Sequence, residues 1–381
     1  MIKIWNLNKV KLTIFLLFIA SLSAIAAIEK NAKIYLEHRI QKIKETQKAE
    51  LRYRNDVNII KFKNKYIDRL NHLRGPSSVR FKETPPSDLL FSVLRSFSKA
   101  NKQNILIQGD SWAYAAKFSQ KFIKDFSKSN HFGIVLGGVR SYSPSPMTIQ
   151  LKVLRDDFAI HPTIIIAIID QTDIGDELFR YQQEQVNKSG QLISLLPEGT
   201  NRILEAQNLE SENNLISSKF AIVKLLFHAT HHFKTKFLNR KIPTAILGSK
   251  ILSPLVNGVD TSSAEHFFFK INRYIKTVFT DQDLKYLVIA THPHRKHLVG
   301  NKIDEKFKAE VGVLVNQVVM KSIYKEKIIH IDFLKSENNK FLIKNLETAF
   351  IKNDPFSHLT EKMYSEYYYP YIFSKLKNLY N

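Results

Sequence analysis

Residues 105–114 read ILIQGDSWAY, and this stretch decides the fold. Ile105, Leu106 and Ile107 form a short apolar run that stops at Gly109-Asp110-Ser111, where a helix-like pattern, WAYAAKFSQKFIKDFSK, takes over. A short apolar run ended by Gly reads as a strand, and the amphipathic spacing after it reads as a helix. The same alternation continues outward. FGIVLGG (132–138) is a second strand, MTIQLKVLRDDF (147–158) a second helix and PTIIIAIID (162–170) a third strand. YLVIATHP (286–293), a helix through 307–324, IIHIDFL (328–334) and a closing helix from about Thr360 complete the series. PTIIIAIID is almost continuously apolar, as a strand covered on both faces must be. The expected fold class is α/β: a three-layer α/β/α arrangement around a mainly parallel sheet.

Outside this core the composition sets bounds. The chain has 381 residues and 44% apolar content, enough for a sizeable core. It carries 57 Lys+Arg against 35 Asp+Glu, a formal charge of +22. That excess suits an anionic glycan or lipid surface, or simply a solvated lysine-rich exterior. No zinc-finger, RRM or P-loop pattern accompanies it, so no nucleic-acid partner is expected. Cysteine is absent, which excludes disulfides, thiolate metal sites and a Cys nucleophile.

At the N-terminus, MIKIWNLNKVK precedes an uncharged segment of 17 residues, Leu12–Ile28. That length is near the lower limit for crossing a bilayer. A retained anchor over residues 1–28, with the bulk of the chain outside the cytoplasm, is the expectation; a signal peptide cut after AIA (24–26) is the alternative. Residues 29–86 read as a charged juxtamembrane stalk ending in the turn-rich linker RGPSSVRFKETPPSD. The α/β domain is then expected over 87–381, with an insertion at about 176–261 that breaks the rhythm. Within it 220–233 looks helical and 242–252 holds a short apolar run that could be an extra strand. His228, His231 and His232 lack the Glu of an HExxH motif and read as structural.

Ligands of an open α/β sheet bind beyond the carboxyl ends of its strands. At the first such end, Gly109 permits a tight turn that projects the Ser111 hydroxyl and amide the same way, as a nucleophile beside its own oxyanion donor would need. A plain helix N-cap by Asp110 or Ser111 is the competing account. Far along the chain, NDPFSHLTEKMY places Asp354 and His358 in a loop before the last helix. An Asp close to a His accepts from one ring nitrogen and leaves the other as a base.

A GDS after the first core strand, with Asp and His before the terminal helix, resembles the SGNH (GDSL-type) hydrolase superfamily over roughly residues 104–381. The resemblance implies Ser111 as nucleophile, His358 as general base and acid, Asp354 as its orienting carboxylate, and Asp110 in a structural role. The family's second block, GVxGY-like, falls on GGVRSYSPSPM, with Gly138 at its first Gly and Ser141 at its second. Its third block puts Thr172 where an Asn is usual, beside Gln171, so Gly138, Ser141, Gln171 and Thr172 are the implied oxyanion candidates. DPFSH is also one residue longer than the usual DxxH.

The strand end ATHPHRKHL groups His292, His294 and Arg295. These read as a basic lip for an anionic group on the substrate, or as a plain basic turn; no carboxylate or clean His spacing makes them a metal site. No cofactor is expected. The resulting expectation is a membrane-anchored serine esterase or O-acyltransferase of a cell-envelope glycan, in a manner resembling the alginate O-acetyltransferase-like, polysaccharide-modifying branch. A non-catalytic glycan-binding or assembly protein with an eroded site, and a membrane-tethered scaffold, are the alternatives.

Overall fold

The computed structural model describes residues 51–75, 84–195, 250–292, 294–299, 302–303, 310–352 and 354–376, with scattered residues between 20 and 50. The chain divides into two compact units, residues 1–52 with 199–245 and residues 53–198 with 246–381. The described part of the first unit, between residues 20 and 52, is helical. The apolar segment Leu12–Ile28, the helix expected at 220–233 and the apolar run at 242–252 lie wholly or largely outside the described residues. Among the described residues no helix is long and apolar enough to cross a membrane.

The second unit is built on a six-stranded, mostly parallel sheet. Its strands are β1 (Ser92–Arg95), β2 (Gln103–Gly109), β3 (Phe132–Leu136), β4 (Ile164–Asp170), β7 (Tyr286–His292) and β10 (Ile328–Asp332), in the order β1-β3-β2-β4-β7-β10. Only the edge strand β1 runs antiparallel to its neighbour. Two short antiparallel pairs, β5 (Glu184–Val186) with β6 (Leu192–Leu195) and β8 (Leu298–Val299) with β9 (Lys302–Ile303), lie outside this sheet.

The period-two alternation of a strand divides the core in two. Ile165, Ala167 and Ile169 of β4 join one apolar cluster, and Ile164, Ile166 and Ile168 join the other. Leu106 of β2 likewise parts from Ile105 and Ile107. The first cluster is covered by α1 (Val57–Leu70), α4 (Pro144–Phe158), α6 (Thr261–Val278) and α7 (Val311–Lys321). The second is covered by α2 (Ser111–Tyr114), α3 (Gln120–Asn130) and the C-terminal α8 (Tyr369–Leu376). A further short helix, α5 (Gln171–Gly175), follows β4 directly.

The body of the fold begins well before the turn-rich linker. Asp56 caps α1 by accepting from the Asn58 and Ile59 amides, and Ile59, Tyr66 and Leu70 are buried in the core. Beyond the helix, the buried Arg74 guanidinium donates to the carbonyls of Gly138 and Leu136 and to Ser92 Oγ. The Tyr142 hydroxyl donates to His72 O, and His72 Nε2 meets Arg140 O. Part of the stretch that reads as a stalk is therefore a structural element of the sheet domain.

The chain passes from β2 outward to β3 and then back across to β4 on the other side. Such a reversal leaves a crevice beyond the strand ends, here between the ends of β2 and β4.

Candidate active site

Gly109 closes β2 with φ of 138°, and a Cβ there would lie 2.3 Å from Ile168 O. Both backbone angle and space therefore demand glycine. Asp110 follows as N-cap of α2, its Oδ1 accepting from Trp112 N at 2.9 Å. This turn places Ser111 at the first helical position, with its side chain at the crevice.

The loop 350–360 comes from the far end of the chain. It is pinned by Ile351 N donating to His358 O and Thr360 N donating to Ala349 O. Asp354 folds back on its own loop: Oδ1 accepts from Phe356 N at 3.1 Å, and Oδ2 from His358 N at 2.8 Å and His358 Nδ1 at 2.5 Å. His358 Nε2 lies 2.6 Å from Ser111 Oγ. A carboxylate accepts only, so Nδ1 carries the ring proton and Nε2 is left to accept from the serine hydroxyl. Ser111 Oγ has a second acceptor in Asp110 Oδ2, but at 3.2 Å it is the longer contact. Partial burial works to raise the Asp354 carboxyl, and the hydrogen bonds from the His358 ring and amide outweigh it, holding it below the ordinary range. Asp354, His358 and Ser111 thus form one hydrogen-bonded chain across 247 residues of sequence.

Behind Ser111 lies a second, acidic set. Asp110, Asp170 and Asp173 are buried and place carboxylate oxygens within 4.8 Å of one another. Burial, and then mutual repulsion, lifts Asp110 and Asp173 well above the ordinary carboxylate range. Asp170 is raised by burial too, against hydrogen bonds from Thr172 and the charge of His358. Asp170 and Asp173 form a capping box at the start of α5.

The sequence candidates separate on this frame. Ser111, Asp354 and His358 come together. Ser141, at the second-block position where glycine is usual, keeps the left-handed backbone with φ of 61° and lines the cleft; its carbonyl accepts from the Tyr181 hydroxyl. Gly138 does not line the cleft: a Cβ there would lie 2.2 Å from Tyr114 N, so this glycine serves close packing against α2. Thr172 reaches the cleft, yet its amide and hydroxyl both donate to Asp170 Oδ1, at 2.7 and 2.6 Å. Its hydroxyl proton is spent there and cannot serve an oxyanion. Gln171 points elsewhere: its Oε1 accepts from the Glu310 and Val311 amides and caps α7.

The basic lip is corrected as well. His292 is buried and stacks on Trp112. His294 is buried behind the loop, where its Nε2 donates to Pro355 O at 2.8 Å and its ring meets Ser357 Oγ. It braces the segment between Asp354 and His358 and offers nothing to the cleft. Arg295 turns outward to the exposed Glu347 at 3.9 Å. None of the three lines the cleft.

The cleft itself holds about 630 Å³. Its walls include Tyr114, Phe118 and Phe356 as well as Lys117, Arg140 and Lys352, residues the sequence reading passed over. Asp170 and Asp173 were also missed, although an Asp-x-x-Asp straight after an apolar strand is a helix-start signature.

No family model matches the sequence, and no curated protein matches it. Among solved structures, one similar chain is an acetyl-xylooligosaccharide esterase from Geobacillus stearmophilus, with 10% identity and a TM-score of 0.38. The match covers 74% of this chain and 96% of that one.

Proposed function

We propose that this chain is a serine esterase or O-acyltransferase acting on acyl esters of a glycan. The observation that carries the reading is the hydrogen-bonded chain Asp354–His358–Ser111, which joins residues 247 apart in sequence at the mouth of a cleft. In this reading His358 Nε2 takes the hydroxyl proton as Ser111 Oγ attacks the acyl carbon. Electrons move onto the carbonyl oxygen, and the Ser111 and Ser141 amides are the donors assigned to that oxyanion. Collapse of the intermediate expels the sugar alkoxide, which takes the proton back from His358. Water, or a second glycan hydroxyl, then attacks the acyl-enzyme with His358 again as base. Asp354, held ionised, fixes the imidazole tautomer and balances the imidazolium. The N-terminal apolar segment as an anchor, and a cell-envelope location for the site, belong to the same reading.

A second reading, a glycan-binding protein without turnover, draws on the third block, where Thr172 is committed to Asp170 and Gln171 to α7. Treating the full chain with a fluorophosphonate separates the two. The esterase reading expects an adduct on Ser111 that disappears in His358→Ala. A folded protein whose Ser111 stays unlabelled would favour the binding protein.

A further inference from the structure

Four cations line the cleft that Ser111 opens into: Lys117, Arg140, Arg180 and Lys352. They come from four separate places, the turn after α2, the loop after β3, the turn after α5 and the loop that carries His358. Three carboxylates share the same wall, Asp110, Asp176 and Asp354, and each is already engaged. Asp354 holds His358, and Asp176 accepts from Arg180 Nε at 2.7 Å. Asp110 caps α2 from a buried position in the acidic set, where burial and the neighbouring carboxylates oppose its ionisation.

Lys117, Arg140 and Lys352 therefore face the cleft with no carboxylate partner among the described residues. Lys117 and Arg140 are also held in place. Lys117 Nζ sits 4.0 Å from the centroid of the Tyr114 ring, and Arg140 Cζ sits 5.4 Å from it. The buried Arg74 shares the same ring, its Cζ 5.6 Å from the centroid, and the ring contacts orient Lys117 and Arg140 at the cleft. Phe118 and Phe356 supply apolar wall beside them. A neutral ligand would leave these charges unanswered in a concave site, whereas an anion would complete them with charge-assisted hydrogen bonds.

Resting on the esterase reading, we infer that the acylated glycan is itself anionic, and that Lys117, Arg140 and Lys352 are the residues that select it. The shared chemistry is a sugar bearing a carboxylate, sulfate or phosphate.

The test uses the full chain carrying Ser111→Ala, so that binding is read without turnover. Calorimetric titration compares oligogalacturonate, a sulfated oligosaccharide and a sugar-phosphate oligomer with a neutral xylooligosaccharide of equal length. At least one anionic ligand is expected to bind about tenfold or more tightly than the neutral one, and the preferred one names the source of the charge. The triple variant Lys117→Gln, Arg140→Gln, Lys352→Gln should lose about tenfold for that ligand and nothing for the neutral one. A control triple, Lys99→Gln, Lys121→Gln, Lys128→Gln, removes the same charge from exposed positions elsewhere and should bind as before. Should the cleft triple unfold, Lys352→Gln alone, on an exposed loop position, carries the same comparison with a smaller loss.

Equal affinity for neutral and anionic ligands overturns the inference, as does an equal loss in both triples, which would trace binding to the overall charge. Hydrolysis of 4-nitrophenyl acetate by the wild type, abolished in Ser111→Ala, tests the esterase reading separately. With that turnover intact and no anion preference only the inference falls; without Ser111-dependent turnover both fall.

Discussion

Two acidic groups lie on the sheet domain, one half-buried and one fully buried, and the protein neutralises them in opposite ways. Glu184, on β5, is met by Arg273 at 2.6 and 2.8 Å and by Lys270 at 2.6 Å, both from α6. Burial pushes its carboxyl up, but these two cations overcome it and hold it down at about 2. Asp110, Asp170 and Asp173 have no such partners in their midst; they crowd one another behind Ser111 and are pushed upward. The first arrangement is a clamp that fixes a hairpin to a helix. The second crowds carboxyl groups whose ionisation burial and mutual repulsion oppose, next to the Ser111 hydroxyl. Stability is gathered at one group and set aside at the other.

The largest effect should fall on the second region's neighbours. Ser111→Ala or His358→Ala is expected to reduce ester hydrolysis by about 10³-fold or more, read as initial rates on 4-nitrophenyl acetate, with the thermal midpoint unmoved. Retained activity in either variant would break the assignment of chemistry to this side of the sheet.

Glu184→Gln tests the clamp. Removing one partner of this half-buried, hydrogen-bonded ionic group costs about 1–2 kcal/mol, and urea unfolding at pH 7 should show that loss while fluorophosphonate labelling of Ser111 persists. The sign with pH follows from the lowered carboxyl. Its contribution is complete above the ordinary value of 4.5 and disappears as pH falls toward about 2. Wild type and variant should therefore converge in stability across that acidic window.

Asp173→Asn should do the reverse. Asp173 is raised on folding, so stability falls as pH climbs from its ordinary value through its folded one. An amide removes that liability and still accepts from Asp170 N. A gain in stability is expected at pH 8, shrinking on acidification; urea curves at pH 8 and pH 5 check it. A loss at pH 8 would mean the acidic set is stabilised by something other than its own protons. The smallest effect is Arg295→Ala, expected to change stability by less than about 0.5 kcal/mol and hydrolysis not at all, because its contact with Glu347 is long and exposed.

The sequence made the strands legible because their apolar runs are short, continuous and stopped by turn residues. Ser111, Asp354 and His358 were singled out only by the resemblance that the two motifs carry together; each motif alone reads equally well as a helix cap or a surface turn. His292 and His294 were not, since residue type says nothing about side-chain direction where a strand ends: His292 pairs in register with Asp170 and turns into the core, and His294 turns behind the loop. Gln171 and Thr172 stood at a promising position, but the Asp170 capping box and the start of α7 claimed their polar atoms. The helical character of this stretch was legible, but the buried face of α1 was hidden by its lysines. Its buried Ile59, Tyr66 and Leu70, with Phe62 packed beside them, recur at i, i+3, i+7 and i+11, a stripe that a helical-wheel count would have found.

Arg74 and His72 give the segment after α1 a mechanical meaning. Both grip the loop 136–142, the first through the carbonyls of Gly138 and Leu136, the second through Arg140 O and the Tyr142 hydroxyl. Ser141 lies within that same loop and forms part of the cleft wall. The wall of the cleft is thus latched to the segment that follows α1, and its shape depends on residues outside the sheet as well as on the strands.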